Sequence, residues 1–579
     1  MQGARLAVAD NNKSGAFLGQ KYELIEDLLP ANGDVVAKAK EIMSKGDALI
    51  VADLEAKDLL AVADLPEAKS SVIFNIRLSD DGLRGEQCRS NIFHIAPSNA
   101  MRADALAQYL IWKKWPKWFV LKGVAPSDQD YDAAVERAAG RFGGKIVEER
   151  KYKFDAANPR TDSGHQQIQT QMPEVTQGAP EHDVVWVVDT TERFGEYVPY
   201  RDYDPRPVVG TQGLIAVAWH RSYEQYAGTQ MQHRFDRFAK RVMTERDYSA
   251  WIAVRAVGEA ATRSGKSEVP DIRKYLLSDD FTVAAFKGEG LSFRRWDRQL
   301  CQPMLITGAR SLVSMSPQEG FLHPKFLTDT LGYDEPETKC KFPQLSRQKV
   351  PEMKRPILIA TAALLTCTPV PAVALQIFVS NEKDNAVTVI DGKTLEVIKT
   401  IPTARRPRGI IASPDGKEVY VAAGDGDIMD VIDTSKLEIT RQLESGPDPE
   451  LMAVDPKGGT LYIANEDDSM VTVMDTGSGD VKAEIPVGVE PEGMDVSPDS
   501  KYTVATSEST SMAHVIDNAT EKLIANVLVD TRAREAKFTP DGKQVWVSSE
   551  VGGSISVIDA STWKVLKKIR FEVPGVRPE

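Results

Sequence analysis

Two slots of a repeated pattern carry the densest charge in this sequence. Arg406, Asp448, Glu490 and Arg532 fall 42 residues apart, and so do Arg408, Glu450, Glu492 and Arg534. Guanidinium and carboxylate groups at one level of a repeat can tie neighbouring units together, or hold a polar ligand or partner between them. A third cluster, Asp425-Gly426-Asp427 with Asp430, has the oxygen donors of part of a calcium loop. Its equivalents are Lys383-Asp384-Asn385, Asp467-Asp468-Ser469, Ser509-Thr510-Ser511 and Val551-Gly552-Gly553. A slot that accepts all five is a hairpin turn, not a metal site. His94, His165, His182, His220, His233 and His323 are scattered without a HExxH pattern. Cys88, Cys301, Cys340 and Cys367 show no CxxC. No catalytic constellation emerges, no metal or cofactor is expected, and the chain reads as non-enzymatic.

The charged slots belong to a longer register. The aspartates of Val389-Ile390-Asp391, Val431-Ile432-Asp433, Val473-Met474-Asp475, Val515-Ile516-Asp517 and Val557-Ile558-Asp559 are 42 residues apart each time. Pro414, Pro456, Pro498 and Pro540 keep the same interval, and Phe378, Tyr420, Tyr462, Val504 and Trp546 fill one slot. A period near 40 means stacked units of one supersecondary type. Each unit divides into four short strands. In the second they are read as Leu395 to Ile401, Gly409 to Ala412, Glu418 to Ala422 and Ile428 to Val431, with Pro-Asp-Gly as a hairpin turn. Four antiparallel strands per repeat make a β-propeller blade, and propellers have about 4–8 blades. On this reading the charged slots lie in loops that enter the second strand and ring one mouth of the channel.

Tyr420-Val421-Ala422-Ala423 and Tyr462-Ile463-Ala464-Asn465 resemble the YVTN-type propeller family, and more narrowly the propellers associated with PQQ-dependent catabolism. Such relatives usually have seven blades. Five are recognisable here, so the resemblance implies a propeller truncated from seven. The blade tryptophan motif of quinoprotein dehydrogenases is absent, which separates this sequence from the PQQ enzyme. A lactonase-type hydrolase on the same scaffold would need a metal held by inward carboxylates and histidines, and the repeats supply only His514.

Met353-Lys354-Arg355-Pro356, the apolar run Ile357 to Leu365, and Pro371-Ala372-Val373-Ala374 form the basic, apolar and Ala-x-Ala parts of a secretory signal peptide. A membrane tether through 357–375 is the alternative, since about 20 apolar residues can cross a bilayer. Thr366 before Cys367 is a poor fit to a lipoprotein signal. The expected organisation is a first domain over 1–340, a Pro-containing linker over 341–352, the signal-like segment 353–374, and propeller repeats over 375–579. It reads as two exported proteins joined in one frame.

In the first part, strand-like runs alternate with helical ones. Ala48 to Ala52, Ser71 to Phe74, Trp118 to Leu121, Asp183 to Val188 and Pro207 to Gly210 are short and apolar. Ala100 to Lys114, Asp130 to Phe142, Phe235 to Glu245 and Ala250 to Thr262 look helical. This alternation argues for α/β lobes with parallel sheets. Gly3-Ala4-Arg5-Leu6-Ala7-Val8-Ala9-Asp10 with the turn to Gly19-Gln20-Lys21, Phe93-His94-Ile95-Ala96-Pro97-Ser98, and Tyr223-Glu224 through Phe235 to Trp251 resemble type I periplasmic solute-binding proteins. These are the leucine/isoleucine/valine-binding receptors of ABC transporters, here most like a branch found beside PQQ-dependent alcohol oxidation. In that family a strand precedes the first helix, so the resemblance implies a start internal to the natural gene.

The family holds its ligand in the cleft between two lobes, at the C-terminal ends of the strands. By position this implies Asp53 and Glu55 after the first strand, and Asn75, Arg77 and Ser79 after the second. Asp189, Thr190 and Thr191 follow the strand at 183–188. Leu54-Glu55 stand where amino-acid binders carry small hydroxyl residues, which argues against an amino-acid ligand. Arg77 can fix an anionic group bidentately. For each of these residues a solvated loop or capping role is the alternative. An oxidising compartment allows one disulfide, with Cys301–Cys340 expected because both lie late in this part; a reduced pair of buried thiols is the alternative.

At 579 residues, 42% hydrophobic and 27% charged, the chain suits two or three globular domains. A net charge of −13 argues against a nucleic-acid partner, which needs clustered Lys and Arg. The expected function is periplasmic binding of a small polar solute, with an ABC permease as a partner and an accessory role in PQQ-linked alcohol oxidation. The alternative is a propeller that docks a PQQ-dependent dehydrogenase or cytochrome c.

Overall fold

The computed structural model describes residues 1–342 apart from 31, 47, 154–164 and 325–326, and residues 375–578 apart from 572 and 574–575. The signal-like segment and most of the expected linker lie outside these residues. Two units form, one built on Met1–Cys340 and one on the strands from Gln376 to Arg570.

The first unit contains two parallel sheets. In one, β1 (Leu49–Ala52), β2 (Val72–Asn75) and β3 (Ile92–His94) are adjacent in that order. In the other, β4 (Lys117–Lys122) lies between β5 (Lys145–Lys151) and β6 (Val184–Val188), and β7 (Val208–Gly210) pairs with β6. Every residue of β2 and β6 is buried. Strands covered on both faces read as continuous apolar runs instead of alternating ones, which is why these two were legible. The charged strand β5 was not, because it is an edge with a mostly solvated face.

The helix Gln2–Ala16 packs on the helix Glu245–Ser264 through buried polar groups. Asp10 accepts from Trp251 Nε1 at 2.9 Å and pairs with Arg234, while Asn11 Nδ2 donates to Val254 O at 2.9 Å. One helix was misplaced by the periodicity. The expected helix Phe235 to Glu245 is a helix ending at Ala239 and another starting at Glu245. Lys240 takes a left-handed φ of 57°, and the Thr244 hydroxyl and Asp247 form a capping box that begins the second helix.

The disulfide is also corrected. Cys88 is bonded to Cys340 with Cα atoms 5.9 Å apart, and Cys301 is free. Cys301 Sγ instead donates to Asp329 Oδ1 at 3.2 Å. The bridge closes a span of 252 residues. We expect Cys88→Ser to lower the unfolding free energy of the first unit by about 2–4 kcal/mol under oxidising conditions. Under reducing conditions it should change little. Equal denaturant midpoints for wild type and variant without reductant would contradict this.

In the second unit, sheets follow one another along the chain. The first described sheet has strands Gln376–Asn381, Ala386–Asp391 and Val397–Pro402. Four antiparallel four-stranded sheets follow, beginning with Pro407–Ala412, Pro449–Val454, Pro491–Val496 and Ala533–Phe538. These leading strands pack against one another from sheet to sheet. The grouping differs from the sequence reading by one strand. The run from Leu395 to Ile401 pairs with Ala386–Asp391 as the outer strand of the first sheet, and does not open the second. The charged slots therefore precede and enter the leading strand of each of the four four-stranded sheets, not the second.

The repeated aspartate has a structural cause. Asp391 Oδ1 accepts from Lys393 N at 2.9 Å and Thr394 N at 2.8 Å, and Asp475 and Asp559 do the same for the two turn amides after them. In the other hairpin, Asp415 Oδ1 accepts from Ser413 Oγ and Lys417 N, and Gly416 supplies the positive φ of 70°. Side-chain-to-backbone bonds of this kind recur at the ends of the sheets, although Asp455 takes the role in the third, where Lys457 fills the Asp415 slot, and this recurrence keeps the register regular.

Candidate functional site

In the first unit, β1, β2 and β6 end at Ala52, Asn75 and Val188. After β1, Asp53 and Glu55 are exposed, and after β2 so is Arg77. These three come together. Arg77 Nη2 lies 2.5 Å from Glu55 Oε1, and its Nη1 lies 3.8 Å from Asp53. Arg246, at the start of the helix Glu245–Ser264, joins them 3.5 Å from Asp53. No local signal could have found Arg246, which is 193 residues away in sequence. Solvent-exposed pairs of this kind are held by less than about 1 kcal/mol. Each is therefore free to exchange partners with a ligand.

The other loop residues are tied into the backbone. Asn75 is buried, and its Oδ1 accepts from Arg77 N at 3.1 Å and Leu78 N at 2.9 Å. Its Nδ2 donates to Leu78 O at 2.9 Å and faces His94 Nδ1 at 3.1 Å. It shapes the turn that presents Arg77. Burial and the Arg84 charge hold the His94 imidazole well below its usual range, so it is neutral. Ser79 is half-buried, and its carbonyl receives Asn99 N at 2.8 Å, where the next helix begins.

After β6, Asp189 is buried and its Oδ2 accepts from Phe194 N and Gly195 N, both at 2.7 Å. Thr191 donates to its other oxygen at 3.3 Å. Thr190 is exposed and donates to Asp128 Oδ1 at 2.6 Å, with Ser127 Oγ 2.7 Å away. Ser127 and Asp128 belong to a helix start that the sequence reading passed over. His220 is half-buried beside Ser222 Oγ at 2.7 Å, and burial lowers its basicity.

In the second unit the charged slots form one network across all five sheets. Arg406 reaches Asp448 at 2.7 Å, Glu450 at 3.0 Å and Glu382 at 3.2 Å. Arg408 reaches Glu450 at 2.9 Å and Glu492 at 3.9 Å. Arg534 reaches Glu492 at 3.1 Å and also Glu508, and Arg532 joins Glu508 at 3.0 Å to Glu550 at 2.9 Å. Glu490 accepts from the Ser509 hydroxyl. Four members were missed: Glu382, Glu466, Glu508 and Glu550 also keep the 42-residue register. Gly424 takes the remaining place in that slot. A Cβ there would meet Asp448 Oδ1 at 2.5 Å and Arg406 Nη1 at 3.1 Å, so the glycine makes room for that pair.

These three slots alone bring eight acids together with four arginines, and Asp425 on Arg406 and Arg577 on Glu550, each at 3.8 Å, extend the network. The excess shows in the titration. Burial and then the Glu492 carboxylate push Glu450 up to about 8, and burial with the charge of Glu450 raises Glu466 well above the usual range. Asp448, Glu450 and Glu466 bring carboxylate oxygens within 4.8 Å of one another. Arg406 and Arg408 already supply positive charge there.

Against known proteins, the family model described as "Periplasmic binding protein" matches residues 1–311. No curated protein matches the chain. Among solved structures, a periplasmic binding protein from Burkholderia mallei is 16% identical over 58% of this chain and 93% of its own, with a TM-score of 0.44. A functionally unknown protein from Desulfotomaculum acetoxidans is 14% identical over 34% of this chain and 67% of its own, TM-score 0.32. Hydrazine synthase from Kuenenia stuttgartiensis is 27% identical over 28% of this chain, TM-score 0.27, and the match spans about half, 48%, of that chain.

Proposed function

Because this chain belongs to the periplasmic binding protein family through residues 1–311, we propose that its first unit is the receptor for a small polar solute in the periplasm, handing it to an ABC permease. The solute binds at the C-terminal ends of β1, β2 and β6. The observation that carries this reading is the exposed set Asp53, Glu55, Arg77 and Arg246, four charges joined to one another by solvent-exposed pairs, at the ends of β1 and β2 and one helix start. Asp53 and Glu55 accept from hydroxyl or ammonium donors of the solute, and Arg77 leaves Glu55 for its anionic group. Thr190 and Thr191 supply hydroxyls from the second sheet. Binding favours whichever arrangement of the two sheets holds the solute better, and only by that difference in affinity.

The second unit, on this proposal, is a propeller of YVTN type that serves as a scaffold beside PQQ-dependent alcohol oxidation, docking a dehydrogenase or cytochrome. The period of 42 residues and the packing of successive inner strands support the propeller. Among the described residues no helix is long and apolar enough to cross a membrane. The segment 353–374 is proposed as an export signal.

A thermal-shift screen of small polar solutes on the full chain tests the receptor. A solute present at about 100 times its Kd stabilises the first unit by about 2.7 kcal/mol. Arg77→Ala should then weaken that solute by roughly tenfold to a hundredfold, the worth of a charged hydrogen bond. No stabilising solute, or a hit whose affinity ignores both Arg77→Ala and Asp53→Ala, would overturn the site.

A further inference from the structure

In the first unit, the sheet that holds β4 to β7 gathers lysine and tryptophan at the edge where its strands begin. The helix Asn99–Trp112 ends there and leads directly into β4. Two bonds fix its last turn: Lys114 N donates to Ile111 O at 2.9 Å, and Trp115 N to Leu110 O at 2.8 Å. This pattern needs one residue of left-handed φ, a place usually taken by glycine. Here it is Lys114, with φ 63°. The turn leaves Trp112, Lys113 and Lys114 all exposed, Trp112 by 51%. Trp115 folds back against the core, and its carbonyl accepts from Trp118 Nε1 at 2.8 Å.

Parallel strands begin at one edge, so β5 adds to the patch. Lys117 and Lys145, the first residues of β4 and β5, are partners in register. Four ammonium groups therefore stand at this edge. Lys113 Nζ lies 5.4 Å from the Trp112 ring and 6.0 Å from those of Tyr109 and Trp115, and cation–π attraction holds it there. Two carboxylates face the set. Glu181 pairs with Lys117 at 3.1 Å, and Asp183 accepts from Lys117 N at 2.8 Å. Among the described residues, Lys113, Lys114 and Lys145 make no ion pair. The local charge is thus positive in a chain whose net charge is −13.

We propose that this edge docks the first unit on an anionic phospholipid surface. Two features choose lipid over an acidic protein. Protein interfaces are depleted of lysine and enriched in arginine, whereas the four cations of this patch are all lysines. Exposed tryptophan beside lysine is instead the pairing found at a bilayer's interface. The indole enters the headgroup layer, and long lysine stems keep their ammonium groups at the phosphates. The proposed solute site lies at the other end of the strands, about 20 Å away along a six-residue strand. Lipid and solute therefore do not compete.

Cosedimentation of the full chain with vesicles tests this, with equimolar phosphatidylglycerol and phosphatidylcholine set against phosphatidylcholine alone. Wild type should bind the anionic vesicles at low salt, leave them as salt rises, and ignore the neutral ones. Lys113→Glu/Lys145→Glu should weaken binding by roughly 25-fold or more, about fivefold for each lysine. Trp112→Ala should weaken it by about tenfold. Lys113→Arg/Lys145→Arg should bind as wild type does, which separates charge from folding. The proposal falls if wild type binds neither vesicle, if it binds both equally, or if the Glu and Ala variants bind unchanged. Retention of wild type on immobilised polyglutamate with no vesicle binding would assign the edge to an acidic protein, and overturns it as well.

Discussion

Replacing Arg294 with methionine is expected to cost the first unit about 3–5 kcal/mol, the penalty for stranding a buried charge. Arg294 is buried, as is its partner Asp329, with Nε donating to Oδ1 at 2.9 Å. The rest of the guanidinium donates to Leu331 O at 2.7 Å, Tyr333 O at 3.3 Å and Thr328 O at 3.4 Å. One side chain therefore fastens the whole stretch from Thr328 to Tyr333. Methionine fills most of the volume but takes the guanidinium partner from buried Asp329, whose Oδ1 also accepts from the Cys301 thiol. The double variant Arg294→Met/Asp329→Asn removes that carboxylate and should recover a large part of the loss. Urea unfolding of the single and double variants measures the coupling. A single variant within 1 kcal/mol of wild type would show that the pair does not hold this segment.

The second large effect is one of pH. Glu466→Gln should raise the stability of the sheet array at pH 8 and leave it unchanged near pH 4, since burial and the neighbouring Glu450 carboxylate penalise the charged form of Glu466. Buried Glu450 and Glu466 hold protons in the folded chain well above the 4.5 at which an unfolded glutamate loses its own. Between pH 4.5 and about 8 the folded state binds more protons than the unfolded one, so stability falls as pH rises through that window. The turn aspartates act in the opposite sense. Backbone amides lower Asp475 to about 2, and the Ser561 hydroxyl with backbone amides lowers Asp559 to about 2, so their contribution is lost as pH falls below 3.8. Wild type should be most stable between these limits. Amide exchange of the inner strands at pH 4, 6 and 8 follows it directly. Wild-type protection that increases from pH 5 to 8 would contradict the burial of these acids.

Most of the chain's elements were legible because their causes are local. The apolar runs of β2 and β6 announce buried parallel strands, and the aspartate and Pro-Asp-Gly slots announce hairpin ends. The helix break at Lys240 was missed although Thr244 and Asp247 spell a capping box, because the apolar period runs on through it. In the candidate site, Asp53, Glu55 and Arg77 could be placed by strand ends alone. Asn75 and Asp189 stand at equally good positions but spend their oxygens on their own turns, and nothing in their residue types separates them from Arg77.

The sequence by itself determined the interval of the second unit, 42 residues, and the chemistry of every turn, since both depend on neighbours along the chain. It did not determine where a sheet begins, because a repeat looks the same from any starting point. Hydrogen bonding between Ala386–Asp391 and Val397–Pro402 sets that phase. Tertiary structure alone decided that Cys88 finds Cys340, that Arg246 reaches Asp53, and which acids each arginine of the charged slots meets. Bonds and charges act through distance in space, and folding brings these groups together from as far as 252 residues apart in sequence.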